Sequence, residues 1–291
     1  MHVPVELIQQ IIEVLAVPNH ILQFGHDHLV LRTLRQLRLT SHAVHNISTP
    51  FLYYSVVITG HSELSAFLRL SPALHRHCHV LRLCKFGTGA LSSLIADLLC
   101  ALSPNLRRLA LDIPGSQLAL STPVREALGS CIYLEDYVLS GYSPMQLFPP
   151  PFYFSSEWTA LRRLVLDGPL VDDAFIRNIA QLPKLTHLAT IEPRWRYSDD
   201  GTEVAAFLDL LNTARGIQQL LLIYCGATES YLCSLKRLKA GVKKLSDNLD
   251  VPVHYVIMQE MPPKPMNLIR VRIGDGTLWE LDSKSLLAPD L

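Results

Sequence analysis

Apolar residues recur in this chain at two spacings that alternate from about residue 75 onward. One spacing is the line L-x-x-L-x-L, whose second half alternates as a half-buried strand does. The clearest lines are Leu106/Leu109/Leu111, Leu161/Leu164/Leu166 and Ile217/Leu220/Leu222. Weaker lines begin at Cys78, Leu134, Leu185 and Val253. Each line predicts a short strand.

Helical spacing fills most of the gaps between these lines. Apolar residues three and four positions apart predict helices over 92–102, 123–130, 171–182, 203–214 and 231–249. Strand and helix in alternation predict an α/β fold in which helical crossovers join parallel strands. Because no single unit can bury its own apolar face, the units must stack around one continuous core.

The lines resemble leucine-rich repeats, and the resemblance implies a curved solenoid over residues 75–260. Successive lines start about 24 to 36 residues apart, near the roughly 20–29 of such repeats. The asparagine or cysteine that closes the consensus is met only by Cys225, and three other lines have Pro114, Pro169 and Pro193 there. These prolines are expected to end their strands.

The first 50 residues favour a separate module of three helices. Pro4 suits a first helical turn, and the apolar residues that follow it at helical spacing are Leu7, Ile8, Ile11, Ile12 and Leu15. Leu34 and Leu37 lie in a second amphipathic pattern, and Ser41 is placed to cap a third helix that Pro50 stops. Residues 51–58 are β-branched and aromatic, which predicts a strand or linker inside a 51–74 linker or first cap.

The tail, residues 261–291, has a different pattern. A proline-rich stretch leads to Gly274-Asp275-Gly276-Thr277, flanked by the apolar stretches 269–273 and 278–281. The Asp-Gly pair predicts a β-hairpin. We expect this hairpin to cap the solenoid and cover its last apolar face.

Composition supports a leucine-periodic protein and narrows its partners. Leucine occupies 53 positions, and 26 basic residues balance 26 acidic ones, so no basic excess indicates nucleic-acid binding. The longest uncharged stretch, 137–156, carries four prolines and cannot form a spanning helix. With no signal peptide and six cysteines lacking a CxxC pair, we expect a cytoplasmic or nuclear protein, away from membranes, with reduced thiols.

Motifs for catalysis and for cofactors are missing from the sequence. There is no nucleophile elbow, phosphate loop or HExxH motif, so we expect no enzymatic activity and no cofactor. His75, His77, Cys78, His79 and Cys84 contain the residue types that bind zinc. Alternate strand residues point to opposite faces, however, and no second ligand cluster accompanies them, so no metal site is predicted.

The N-terminal helix resembles the opening of an F-box. The F-box pattern is roughly L-P-x-E-L-L-x-x-I-(I/L)-x-x-L, and the residues that match it are Pro4, Glu6, Leu7, Ile8, Ile11, Ile12 and Leu15. Leu34, Leu37, Leu39 and Ser41 resemble the second half of the motif. Val3 replaces the usual leucine, the usual late aromatic residue is absent, and the loop between the halves is long. The chain thus resembles fungal-type F-box proteins with degenerate leucine-rich repeats.

This resemblance implies a substrate-recognition subunit of a cullin–RING ubiquitin ligase. The F-box would bind the Skp adaptor, itself held by the cullin scaffold, and the repeats would bind a protein substrate. The candidate adaptor-binding residues are Pro4, Glu6, Leu7, Ile8, Ile11, Ile12, Leu15, Leu34 and Leu37. The alternative is a repeat-protein interaction scaffold outside any ligase, in which residues 1–50 only cap the solenoid. That alternative expects Leu7, Ile8 and Ile11 to be buried against the first repeat.

Residues between the leucines of each line are expected on the concave face of the solenoid. The candidate substrate-binding residues there are Arg82, Arg108, Asp112, Asp136, Arg163, Asp167, Ile223 and Tyr255. Together with Ala189, Ile191, Leu221 and Ile257 they predict a face that is charged at one end and apolar at the other. Alternatively, the charges are solvated neighbours on adjacent strands and the tail hairpin covers the apolar half.

Overall fold

The computed structural model describes residues 4–16, 28–84, 86, 92–112, 122–140, 157–195, 216–225, 253–258 and 277–280. The helices are α1 (Val5–Ala16), α2 (His28–Leu37), α3 (His42–Tyr54), α4 (His61–Leu68), α5 (Pro72–His75), α6 (Ser92–Leu102), α7 (Thr122–Gly129) and α8 (Asp173–Ala180). The strands are β1 (Ser55–Thr59), β2 (Val80–Cys84), β3 (Arg108–Asp112), β4 (Asp136–Ser140), β5 (Arg163–Asp167), β6 (Leu170–Val171), β7 (His187–Ile191), β8 (Arg194–Trp195), β9 (Gln219–Cys225) and β10 (Val253–Met258).

One parallel sheet runs through the described residues in the order β1-β2-β3-β4-β5-β7-β9-β10. Each strand pairs in parallel with its neighbours in this order, while β6 and β8 pair in a second, two-stranded sheet. Helices α6, α7 and α8 lie in the connections after β2, β3 and β5. The α/β prediction of stacked parallel strands with helical crossovers is confirmed, and the fold is leucine-rich-repeat-like. The predicted helices over 203–214 and 231–249 lie outside the described residues.

The leucine lines set the register of this sheet. Leu81, Leu109, Tyr137, Leu164, Leu188 and Leu220 lie side by side across six strands. All six are at most 4% exposed, and they share one core with the inner faces of α6, α7 and α8. Tyr137 replaces a leucine in this row and contacts Trp158 edge-on at a ring distance of 5.2 Å. The indole Nε1 of Trp158 donates to the Leu128 carbonyl at 2.9 Å, so the polar atom of this buried side chain is paired.

Two of the three prolines end strands as predicted. Strand β5 ends at Asp167 and β7 at Ile191, and each is followed by one residue in the left-handed region, Gly168 (φ 62°) and Glu192 (φ 48°). Pro169 and Pro193 come next and lead into the paired strands β6 and β8. The two repeats therefore have the same turn after their strands. Pro114 lies outside the described residues.

The N-terminal helices form a small core of their own. Ile12 of α1, Leu34 of α2 and Val44 of α3 are at most 5% exposed and pack together. The Ser41 hydroxyl accepts from the Val44 amide at 3.2 Å, which confirms the predicted cap. Helix α3 then contacts α5 and β1, so it joins this module to the solenoid.

The predicted end of the third helix at Pro50 is wrong. Helix α3 continues through Pro50 to Tyr54, and only residues 55–58 of the predicted 51–58 strand or linker are extended, as part of β1. Phe51 and Leu52 pack on the N-terminal core and Tyr53 on the solenoid core. Burial on both sides offsets the backbone hydrogen bond that proline cannot donate.

The phase of the last line is also wrong. Strand β10 pairs Val253 with Leu220 and Tyr255 with Leu222, whereas the predicted line aligned Val256 with Leu220. Position 256 pairs instead with Ile223, three residues out of the predicted alignment. Five of the six residues of β10 are apolar, and such a run has no period from which the phase can be assigned.

The tail differs from the predicted hairpin where the structure describes it. Residues Thr277–Glu280 form a 3-10 helix, whereas the sequence predicts residues 278–281 as the second strand of the hairpin. Residues 269–276 lie outside the described residues.

No helix in the described part of the chain is long and apolar enough to cross a bilayer.

Truncation of a leucine in the core row should destabilise the whole sheet. Leu109 is 0% exposed and central, so Leu109→Ala is expected to lower the free energy of unfolding by about 2–5 kcal/mol. Leu39 is 74% exposed, and Leu39→Ala should change it by less than about 0.5 kcal/mol. Urea unfolding followed by circular dichroism measures both values. Equal effects of the two substitutions would contradict the assigned core.

Candidate interaction surfaces

An exposed apolar stripe runs along α1. Leu7, Ile11 and Val14 are 49%, 54% and 78% exposed, and their spacing places them on one face of the helix together with exposed Pro4. The opposite face is turned inward, since Ile12 is 0% exposed and Ile8 packs against the module core. The module is therefore stable without covering this stripe.

The candidate adaptor-binding residues differ widely in their exposure. Pro4, Glu6, Leu7 and Ile11 are exposed, and Ile8 and Leu37 are half-buried. Ile12 and Leu34 must be removed from the predicted surface, because they are 0% and 1% exposed and lie inside the module. The side chain of Leu15 lies outside the described residues. Val14 is an exposed apolar residue that the motif match did not select, and Leu39 is an exposed residue of the motif that is not among the candidate adaptor-binding residues. The spacing of Val14 from Leu7 and Ile11 was the available signal.

The stripe has no partner within the described part of the chain. Burial of Leu7, Ile8 and Ile11 against the first repeat was the expectation of the cap alternative, and Leu7 and Ile11 are instead about half exposed. The main contacts from the module to the solenoid come from α3. An exposed apolar stripe beside a complete core is typical of a surface that binds another protein.

The charged end of the concave face is an internal ion-pair cluster. Asp136 lies between Arg108 and Arg163 in the sheet register. Arg163 donates from Nε and Nη2 to the two carboxylate oxygens at 2.5 and 2.7 Å, and Arg108 Nε lies 3.1 Å from Oδ2. The Asp136 side chain is 4% exposed. Its charge is therefore compensated inside the protein, and Asp136 is not available to a substrate.

The remaining charged candidates lie on the same sheet as this cluster. Arg82 and Asp112 are half-buried on β2 and β3, and Asp167 at the end of β5 is 4% exposed. The alternative of freely solvated charges on adjacent strands is also wrong for Asp136 and Asp167, because both are buried. Asp136 can be buried because Arg108 and Arg163 lie beside it in the sheet register and compensate its charge.

The apolar end of the concave face is closed. Ala189, Ile191, Leu221 and Ile223 are each 0% exposed, and they share one cluster with Leu278 of the tail, which is 2% exposed. Ile223 is therefore not an open binding residue. The side chain of Tyr255 lies outside the described residues. Coverage by a tail hairpin is the alternative for this end. Leu278 packs here from a 3-10 helix, and the hairpin cap itself stays a prediction.

Two polar residues that the sequence analysis missed attach the tail to the sheet. Gln219 Nε2 donates to the Trp279 carbonyl at 3.2 Å. The ring of His187 meets the Trp279 ring edge-on at 5.2 Å. His187 and Gln219 occupy the same register row as Arg108, Asp136 and Arg163. That row holds polar residues in the earlier repeats, and this repeat position could have identified both.

The histidine and cysteine cluster around residue 78 is divided among separate contacts. His75 stacks on Phe67 and its Nε2 lies 3.0 Å from the Phe67 carbonyl, while His79 Nδ1 lies 2.9 Å from the Asn105 carbonyl. Burial raises the pKa of the Cys78 thiol to about 12, so the thiol stays protonated at neutral pH. Within the described residues no three of these side chains converge on a metal site.

The comparisons with known proteins add little to this geometry. No protein-family model matches the chain, and no curated protein matches it. Among solved structures, the chain is similar to an internalin from Listeria monocytogenes at 14% identity and a TM-score of 0.29, with 68% of this chain and 83% of that chain covered. So distant a likeness supports no functional conclusion, and the function has to be inferred from the surfaces themselves.

Removal of the central carboxylate should destabilise the concave face. Asp136→Asn leaves Arg108 and Arg163, whose side chains are 12% and 21% exposed, without their counter-charge. We expect a loss of about 3 kcal/mol in unfolding free energy, near the lower end for a broken buried pair.

The neighbouring residue provides the matched control. Glu135 lies 4.0 Å from Arg107, and these two side chains are 37% and 42% exposed. Glu135→Gln should therefore cost less than about 0.5 kcal/mol. Urea unfolding measures both variants, and a loss for Asp136→Asn no larger than that of the control would contradict a buried cluster.

His187 should make the stability of the solenoid depend on pH. Burial, and secondarily the charge of Arg163, lower the pKa of this histidine below its ordinary 6.5, while Asp136 opposes the shift. Between the lowered folded value and 6.5 the unfolded chain binds more protons, so the unfolding free energy falls as pH drops through this window. His187→Gln should lose less stability between pH 7.5 and 5.5 than the native protein does, as measured by urea midpoints. An unchanged pH dependence would show that His187 is not the group involved.

Proposed function

We propose that this protein is a substrate receptor of a cullin–RING ubiquitin ligase, which binds the Skp adaptor through α1. The observation that carries the proposal is the exposed stripe of Pro4, Leu7 and Ile11, because these residues belong to the F-box-like line of the sequence. An apolar helix face that the chain leaves uncovered suits helix-on-helix docking. Burial of such residues at an interface would favour association. In a helix that only capped the solenoid, the same residues would already be buried within the chain.

The protein itself carries out no chemistry in this proposal. The adaptor holds the receptor on the cullin scaffold, and the receptor holds a protein substrate near a ubiquitin-loaded enzyme. Holding two reactants together in this way raises their effective concentration. A ligase receptor of this kind would act in the cytoplasm or the nucleus.

The leucine-rich-repeat-like fold supports the role of a protein-interaction scaffold. A rigid sheet joined directly to the module through α3 and β1 would hold a captured protein at a fixed position relative to the adaptor. Since much of the concave face is closed by ion pairs and by Leu278, the substrate surface has to be sought elsewhere on the solenoid.

Adaptor binding should depend on the α1 stripe. Purified Skp adaptor is mixed with the full chain, with Leu7→Asp/Ile11→Asp, and with the control Ile132→Asp/Tyr133→Asp. Ile132 and Tyr133 are 40% and 44% exposed, comparable with Leu7 and Ile11, but lie on the solenoid. Circular dichroism establishes that each variant is folded.

We expect the native chain and the control to retain the adaptor and the α1 variant to lose at least about 100-fold in affinity, as two buried charges would cause. Failure of the folded native chain to bind the adaptor would contradict the proposal and favour an interaction scaffold outside any ligase. Equal loss in the control would show that binding is not at α1.

A further inference from the structure

A recess opens at the edge of the sheet from which the strands begin. It encloses about 350 Å³ and is lined by Arg107, Ile132, Tyr133, Glu135, Thr159, Ala160, Arg162 and Lys184. These residues come from the turns before β3, β4, β5 and β7. We refer to this set as the rim groove. It is separate from the concave face and from α1.

Positive charge predominates in the rim groove. Arg107, Arg162 and Lys184 line it together with one carboxylate, Glu135. Glu135 lies 4.0 Å from Arg107. Among the described residues, Arg162 and Lys184 have no ion-pair partner, and both are exposed. Two cations therefore remain uncompensated beside a concave space, where an anion gains more than on a flat surface.

An aromatic contact fixes the third cation. The Arg107 guanidinium lies 4.9 Å from the centre of the Tyr133 ring, and its Nη1 lies 4.0 Å from a carboxylate oxygen of Glu135. Tyr133 and the adjacent Ile132 remain 44% and 40% exposed. The rim groove thus presents apolar area directly beside its cations, a combination enriched where proteins bind other proteins.

The length of the rim groove limits its occupant. Its lining residues precede four adjacent strands, which are about 4.8 Å apart, so the groove spans roughly 14 Å. An extended peptide of about four residues covers that distance. A nucleic acid would require a longer basic stripe, and 26 acidic residues balance the 26 basic ones in the whole chain.

We propose that the rim groove binds a short acidic peptide segment, with carboxylates on Arg162 and Lys184 and an apolar side chain on Ile132 and Tyr133. If the ligase role proposed above is correct, this segment belongs to the captured protein. The binding itself does not depend on that role, because no adaptor takes part in it.

Fluorescence anisotropy of the full chain at low salt tests this proposal without the adaptor. The probe is a fluorescein-labelled hexapeptide, Asp-Glu-Asp-Leu-Asp-Glu, and its uncharged counterpart is Asn-Gln-Asn-Leu-Asn-Gln. We expect saturable binding of the acidic peptide, and at least tenfold weaker binding of the amide peptide. Affinity should fall as salt is added, since the cations are exposed.

Arg162→Gln/Lys184→Gln should weaken binding of the acidic peptide about tenfold. The matched control is Arg32→Gln/Arg35→Gln, which removes two exposed cations from α2 and should leave the affinity unchanged. Tyr133→Ala should also weaken binding of the acidic peptide. This loss should remain at high salt, since it removes the apolar part of the contact.

Three outcomes would overturn the proposal. They are the absence of saturable binding by the folded chain, an equal loss in the α2 control, and tighter binding of a single-stranded hexanucleotide than of the acidic peptide. Because adaptor binding is measured separately, failure here leaves the α1 proposal standing, and failure at α1 leaves this one standing.

Discussion

Lateral pairing of leucines across a parallel sheet is the constraint on which the rest of the molecule depends. Each strand contributes two inward residues, and each is buried only when its neighbours in the register are in place. A single repeat has too little apolar surface to offset its conformational entropy. The helices, the proline corners and the position of every concave side chain follow from this shared register.

The same register explains why the concave face is a poor binding surface at both ends. Strand pairing brings Arg108, Asp136 and Arg163 side by side, so their charges are compensated within the protein. At the other end the same row holds His187 and Gln219, which receive Trp279 of the tail. Surfaces outside this face keep unused binding capacity, and the α1 stripe and the rim groove are the two best defined among the described residues.

Much of the fold could be predicted because leucine spacing reports burial directly. The lines at 106, 161 and 217 align in the sheet as predicted, and the helix over 92–102 matches α6. Prediction failed where the pattern lost its period or where tertiary contacts outweighed local preference. Residues 253–258 are nearly all apolar, so their phase was ambiguous, and Pro50 stays helical because its neighbours are buried on two sides.

The candidate surfaces were harder to predict, because a motif does not state which residues face outward. Ile12 and Leu34 match the F-box-like pattern as well as Leu7 and Ile11 do, yet they form the inside of the module. The repeat pattern held a partial signal for the rim groove, since Arg107, Glu135 and Arg162 each occupy the second position of a leucine line, whereas Lys184 precedes its line. Only the parallel stacking of turns brings them together.

If the adaptor binds through α1, the solenoid sheet should keep its structure in the complex. Hydrogen exchange of the full chain, measured by mass spectrometry with and without the Skp adaptor, locates the binding surface. We expect slower exchange confined to peptides covering Val5–Ala16 and His28–Leu37, with β3, β4 and β5 unchanged. Protection of the strands with none in α1 would contradict this expectation.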